Sequence, residues 1–135
     1  MPGARGSPTV TGMTDLVLGK QFVADLAARD FGLLRAVLRD DVRFRLLTPR
    51  GPQAQDGADE TLARFVGWLG DARELRLESS SVDTLGDRLV IVYRLWLRFP
   101  DGCRRLEQHL VCGVDDDGRL ATIDLLCTGF HSTVD

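Results

Sequence analysis

EQHLVCGVDDDGRLATIDLLC, residues Glu107–Cys127, is two alternating stretches on either side of a short acidic turn. Gln108, Leu110 and Cys112 form one set, and Ile123, Leu125 and Cys127 form another beyond the turn. A period of two residues is the signature of a half-buried strand, so the segment reads as a hairpin around Asp115–Gly118. It also carries one of the two histidines, two of the three cysteines, four aspartates and a glutamate. Its register therefore decides both the fold and whether this polar chemistry faces a pocket or water.

Working upstream, Leu89, Ile91, Tyr93, Leu95, Leu97 and Phe99 make one face of a long strand, and Val90, Val92, Arg94, Trp96 and Arg98 the other. Pro100–Gly102 is a turn that joins this strand to Arg104–Val114. Leu75 and Leu77 alternate with Arg76 and Glu78 in a further strand, and Ser79-Ser80-Ser81 reads as a bulge. Ahead of these strands the period changes. Leu62, Phe65, Val66 and Leu69 share a helical face over Ala58–Leu69, with Gly70 as the stop. Pro49–Gly57 reads as a loop, and Val42, Phe44 and Leu46 as a strand. Leu18, Phe22, Val23 and Leu26 mark a helix from Asp15 to about Arg29. Asp30 is the N-cap of a second helix, Phe31–Leu38, which Asp40-Asp41 breaks. The order predicts an α+β domain, with three helices packed on the concave face of a curved, mostly antiparallel sheet. Residues 1–13 are expected to be a loose tail, 14–131 the domain and 132–135 a second tail; Met13 is an alternative start.

The 135 residues are 44% hydrophobic and 27% charged, which suffices for a single core without metals or staples. A net charge of −3 and the absence of a basic patch with interleaved aromatics speak against nucleic acid. No apolar run is long enough to span a membrane. Three cysteines without a C-x-x-C pattern or secretory leader read as reduced thiols, and the expected location is cytoplasmic.

Three stretches carry a family resemblance: FVADLAARDFGLLRAVLRDDVRF (Phe22–Phe44), Gly57 ahead of the third helix, and LVCGVDDDGRLATIDLL (Leu110–Leu126). The chain resembles the cone-shaped nuclear transport factor 2-like superfamily, in its ketosteroid isomerase and SnoaL-like branches. The resemblance runs from about Asp15 to Phe130 and implies a cone whose concave side encloses a pocket for a small, greasy ligand. It implies a lining of Phe22 and Leu26 from the first helix, Phe44 and Leu46 from the first strand and Trp68 from the third helix. The later strands would add Ile91, Tyr93, Leu95, Leu110, Cys112, Ile123, Leu125 and Cys127.

The known machinery of the resembled families is absent position by position. Where the isomerases carry an oxyanion-donor tyrosine, a base aspartate and a protonated aspartic acid, this chain has Phe22, Leu46 and Leu110. Where SnoaL-like cyclases carry a histidine and an aspartate two apart, it has Ile123 and Leu125. A phenyl ring and leucines neither abstract a proton nor donate to an enolate.

Tyr93 and Gln108, inward on adjacent strands, are the candidate polar pair, as donors to a ligand carbonyl or as a self-satisfied core pair. His109 and Asp124 would form a general-base dyad if they shared an inward face; the aligned pattern turns both outward. Glu107-x-His109 lacks a third ligand for zinc, and Asp115-Asp116-Asp117-Gly118 lacks the closing glutamate of a calcium loop, so no metal or cofactor is expected. Thr48 and His131 are further candidates near the mouth. Cys112 and Cys127 have no basic neighbour to make a thiolate and read as small packing groups. An outward apolar stripe of Val90, Val92 and Trp96 reads as a homodimer face.

Together these readings give a SnoaL-like pocket protein for a small hydrophobic molecule of polyketide, steroid or terpenoid type. As an enzyme it would be a cofactor-independent cyclase, isomerase or lyase working mainly by shape, with Tyr93 and Gln108 as donors and His109 or His131 as a proton shuttle. The alternatives are a non-catalytic hydrophobic-ligand module and a structural dimer.

Overall fold

In the computed structural model, residues 8–133 are described. They form α1 (Pro8–Ala27), α2 (Phe31–Ala36), β1 (Leu38–Thr48), β2 (Gly51–Asp56), α3 (Ala58–Leu69), β3 (Glu74–Leu85), β4 (Arg88–Phe99), β5 (Gly102–Val114), β6 (Leu120–Cys127) and β7 (His131–Ser132). Part of the expected tail at residues 1–13 lies outside the described residues, and from Pro8 onward the chain is helical. Of the expected tail at 132–135, Ser132 is in β7 and residues 134–135 lie outside the described residues. Among the described residues no helix is long and apolar enough to cross a membrane.

The seven strands make one sheet in the order β2-β1-β6-β5-β4-β3, with β7 paired to β5. β1 and β6 run parallel and the other pairs are antiparallel, so the sheet is mixed. Long β4 and β5 run in unbroken register from Leu89↔Cys112 to Phe99↔Gly102. The bulge expected at the serines is a register shift between Leu77 and Ser79.

Three sequence readings change. Pro49–Gly57 is not all loop: β2 folds back on β1, with Thr48 opposite Gly51 and Arg43 opposite Asp56. Its GPQAQD sequence has no apolar face, and it survives at the sheet edge, where Pro52 removes no needed ladder bond. α2 ends at Ala36 and β1 begins at Leu38, so Asp40-Asp41 lie inside a strand. β7 is an added short strand, with Arg105 opposite His131.

The handovers between elements follow local chemistry. Asp30 caps α2 by accepting from the Leu33 N–H at 3.1 Å. Gly57 precedes α3 with φ of 98°, a conformation costly for any side chain, while its N–H donates to the Val42 carbonyl. Phe65 of α3 sits between Phe22 of α1 and Phe44 of β1, each ring centroid 5.9 Å away. Around them the inward residues of the sheet close a single core.

Candidate functional site

The residues expected to line a deep pocket do point inward, but they pack against one another. Phe44, Ile91, Tyr93, Leu95, Leu110, Cys112 and Ile123 expose 0% of their surface, and Phe22, Leu26, Leu46 and Leu125 at most 3%. A side chain with no accessible surface borders no water-sized void, so the heart of the cone is solid core. Tyr93 and Gln108 are part of it: the phenol O–H donates to Gln108 Oε1 at 2.5 Å, and both residues are fully buried. Burial raises the Tyr93 pKa well above its ordinary value, which keeps the phenol protonated. The pair satisfies itself, and Gln108 Nε2 lies 3.4 Å from Cys127 Sγ.

Open space lies above this core. A cavity of about 530 Å³ sits at the mouth, lined by the β1–β2 hairpin, the outer half of α3 and the segment after β6. Trp68 and Cys127, both expected in the lining, are there, as are Thr48 and His131. Sequence reasoning missed Pro49, Arg50, Gln53, Arg64 and Phe130. The available signal was Arg64 at i and Trp68 at i+4 on α3, which puts a cation and an indole on one helical face. The Arg64 guanidinium lies 5.9 Å from the Trp68 ring centroid, and Trp68 meets Phe65 edge-on at 5.3 Å. Arg64 also donates to Gln53 Oε1 at 2.6 Å and to Gln55 Oε1 at 3.2 Å.

The far wall is a pinned tail. Gly129 has φ of 75°, and a Cβ there would lie 2.8 Å from Pro49 Cγ, so only glycine lets the chain pass this close to the hairpin. Phe130 then packs edge-on against Phe99 at 5.6 Å. His131 Nε2 lies 3.0 Å from the Thr128 carbonyl, and β7 fastens the segment to β5.

His109 is on the other side of the sheet. The observed register sets Val111 opposite Asp124 and His109 opposite Leu126, so His109 and Asp124 share the outward face as diagonal neighbours. Each has another partner: His109 meets Glu107 at 2.7 Å, and Asp124 accepts from Arg45 at 2.8 Å. Both face outward, as the aligned pattern turns them, the candidate dyad does not form, and His109 does not line the mouth cavity. Glu107 also accepts from Arg94, and these contacts, that of His109 first, lower its pKa.

Cys112 is pushed up to about 12, mainly by burial, so it is a thiol and not a nucleophile. Asp115 accepts from the Asp117 and Arg119 N–H groups and shapes its own turn. Among the described residues no three His, Cys, Asp or Glu side chains converge as a metal site.

The outward stripe also differs from expectation. Val90 and Val92 are half-buried, and Trp96 is only 7% exposed, with the Arg76 guanidinium 4.5 Å from its ring centroid. Exposed apolar side chains on that face are instead Leu85, near the β3–β4 turn, and Leu47 and Leu126, directly opposite in the β1–β6 register. Leu47 and Leu126 border an outer groove of about 640 Å³ with Val111, Pro52 and Ala54.

Neither a family model nor a curated protein sequence matches the chain. Solved structures do. An LEH-like epoxide hydrolase of M. tuberculosis is similar at 18% identity and TM-score 0.66, covering 86% of this chain and 84% of that one. A nuclear transport factor 2-like protein of Burkholderia xenovorans LB400 is similar at 15% identity and TM-score 0.65, covering 86% and 90%. A steroid delta-isomerase of Pseudomonas aeruginosa is similar at 20% identity and TM-score 0.57, covering 84% and 79%. The fold is therefore the α+β cone that these structures share. At these identities the likeness defines the architecture, and function has to be argued from the site.

Proposed function

We propose that the chain binds a small molecule with an apolar body at the mouth of the cone. The observation that carries this is the contrast between a solid interior and a cavity of about 530 Å³ walled by Trp68, Phe130 and Pro49. That volume suits a ligand of drug-like or smaller size. Steroid, polyketide and terpenoid skeletons remain the ligand types to test, bound across the mouth and not deep in the cone. Their seat would be Trp68 and Phe130, with Thr48 and Thr128 as polar contacts.

A second reading is catalytic: cofactor-independent isomerisation or cyclisation of such a ligand. It is favoured by one observation, the His131 imidazole on the cavity wall. Tyr93 and Gln108 would then support the floor through Cys127, since their own polar groups engage each other. We also propose a homodimer through the outer sheet face, centred on Leu47 and Leu126 with Val90 and Val92 beside them.

Native mass spectrometry of protein purified from its own host, followed by denaturing release, tests the binding reading. A retained apolar metabolite, lost on Trp68→Ala, is the expected result. Retention untouched by Trp68→Ala would place the ligand elsewhere. An empty protein whose Trp68 emission also ignores a panel of steroids and polyketides would overturn the reading.

A further inference from the structure

We infer that the ligand of the mouth cavity is an anionic amphiphile, an apolar body carrying a carboxylate or similar oxyanion that pairs with Arg64. This rests on the binding reading above and specifies the class of molecule it concerns. The charge balance of the mouth is the first observation. Nine arginines elsewhere, such as Arg45 and Arg94, lie within 4.0 Å of a carboxylate. Arg64, like Arg29, Arg43, Arg50, Arg73 and Arg119, is not among them; its side-chain acceptors, among the described residues, are the neutral amides of Gln53 and Gln55. None of the residues lining the cavity is Asp or Glu, while Arg64, Arg50 and His131 all border it. In a chain of net charge −3, this sets two guanidinium groups beside the apolar walls of the cavity.

Geometry is the second observation. A guanidinium carries five N–H donors in a rigid fork. The Nε donor goes to Gln55 and one Nη2 donor goes to Gln53. Three donors are left, on a group held from one side by β2 and from beneath by the Trp68 ring. A fork fixed by neutral acceptors keeps its full charge and loses little freedom on pairing with an oxyanion. A neutral ligand of the same shape would leave that charge uncompensated as it covered the mouth, which costs free energy. The apolar part would lie on Trp68 and Phe130. The assignment is thus an acid with a hydrophobic body, not a neutral polycycle.

Two fluorescent probes with a common body test it on the intact chain: 8-anilinonaphthalene-1-sulfonate and its uncharged counterpart N-phenyl-1-naphthylamine. The sulfonate dye is expected to bind about tenfold or more tightly than the neutral one, a typical ratio for a charge-assisted hydrogen bond. Raising the salt to 0.5 M should erode that advantage and leave the neutral dye unchanged. Arg64→Gln should remove the preference by weakening sulfonate-dye binding about tenfold relative to the neutral dye, and Arg64→Lys should retain part of it. Equal binding of the two dyes by the native chain, or a preference that survives Arg64→Gln, would overturn the anion assignment while leaving the pocket standing. Failure of both dyes to bind, or binding indifferent to Trp68→Ala, would instead remove the mouth as a ligand site and the assignment with it. The comparison of the two dyes on the native chain needs no variant, so it decides even if Arg64→Gln does not fold.

Discussion

Tyr93 shows how one hydrogen bond separates a core residue from a catalytic one. Its hydroxyl donates to Gln108 Oε1 where neither residue has accessible surface. Tyr93→Phe strands a buried amide oxygen, and Gln108→Leu strands a buried phenol; each should cost about 1–3 kcal/mol. The double variant removes both partners and should lose clearly less than the sum, a coupling that urea unfolding of the four proteins would measure. Ligand affinity at the mouth should stay within about twofold in all of them, because neither side chain borders the cavity. Strong loss of binding in Tyr93→Phe without loss of stability would return the pair to the site. The inward direction of both residues was legible from the alternation along their strands. What alternation cannot convey is volume. Phe22, Phe44 and Phe65 meet inside the cone, and that meeting decides whether an inward phenol faces a ligand or a neighbour. Arg64 was hidden for a related reason: its partners Gln53 and Gln55 come from a segment whose polar sequence reads as loop.

At the scale of elements, α1 settles on the sheet through Gly19. A Cβ there would lie 2.4 Å from Val82 Cγ1 of β3 and 3.3 Å from Leu89 Cδ1 of β4. Gly19→Val should therefore cost about 1–3 kcal/mol in thermal unfolding, as overpacked cores do. Gly19→Ala should fail to show the gain of about 1 kcal/mol that alanine brings to a free helix interior. Full recovery of that gain would mean that the helix can lift from the sheet without penalty. A second prediction concerns the outward side of β3, β4 and β5, where ion pairs run within and between the strands. Arg105 lowers the Glu78 pKa, His109 and then Arg94 lower that of Glu107, and Arg76 followed by Arg98 lowers that of Glu74. A carboxylate whose folded pKa lies below its ordinary 4.5 stabilises the fold above pH 4.5. That contribution is lost as pH falls through the lowered values. The urea midpoint should thus be insensitive to these groups near neutrality and decline on acidification below about pH 4.5. Glu78→Gln with Glu107→Gln should flatten the decline, and an unchanged slope in that variant would show that other carboxylates carry it. The helices and long strands behind these predictions were readable because each has a strict period. β2 and β7 were not, since their pairing comes from partners already in the sheet and not from apolar alternation of their own.

For the whole molecule, the two faces of the sheet ask for different partners. The inner face is filled by its own helices, and the open space lies at the mouth. Among the described residues no helix lies on the outer face, and what that face leaves uncovered has moved from where its sequence pattern points. Trp96 lies under Arg76, and the Arg105–Glu78 ion pair joins the strands on either side of it. This half of the face is closed by charged side chains lying on an apolar one. On the β1–β6 half nothing equivalent covers Leu47 and Leu126, which are 47% and 56% exposed. They stand in register beside the outer groove, with the Arg45–Asp124 ion pair next to them. An apolar ridge bounded by an ion pair of both signs suits a copy of itself, since a two-fold axis can set arginine against aspartate and leucine against leucine. Sedimentation equilibrium at micromolar concentration should therefore report a dimer. Leu126→Arg should shift it to monomer without lowering the unfolding midpoint of the monomer, because an exposed leucine contributes little to its own chain. Trp96→Phe should leave the dimer intact, since that indole is already covered. A native chain that stays monomeric, or a dimer broken by Trp96→Phe and indifferent to Leu126→Arg, would move the interface away from the β1–β6 half of the sheet.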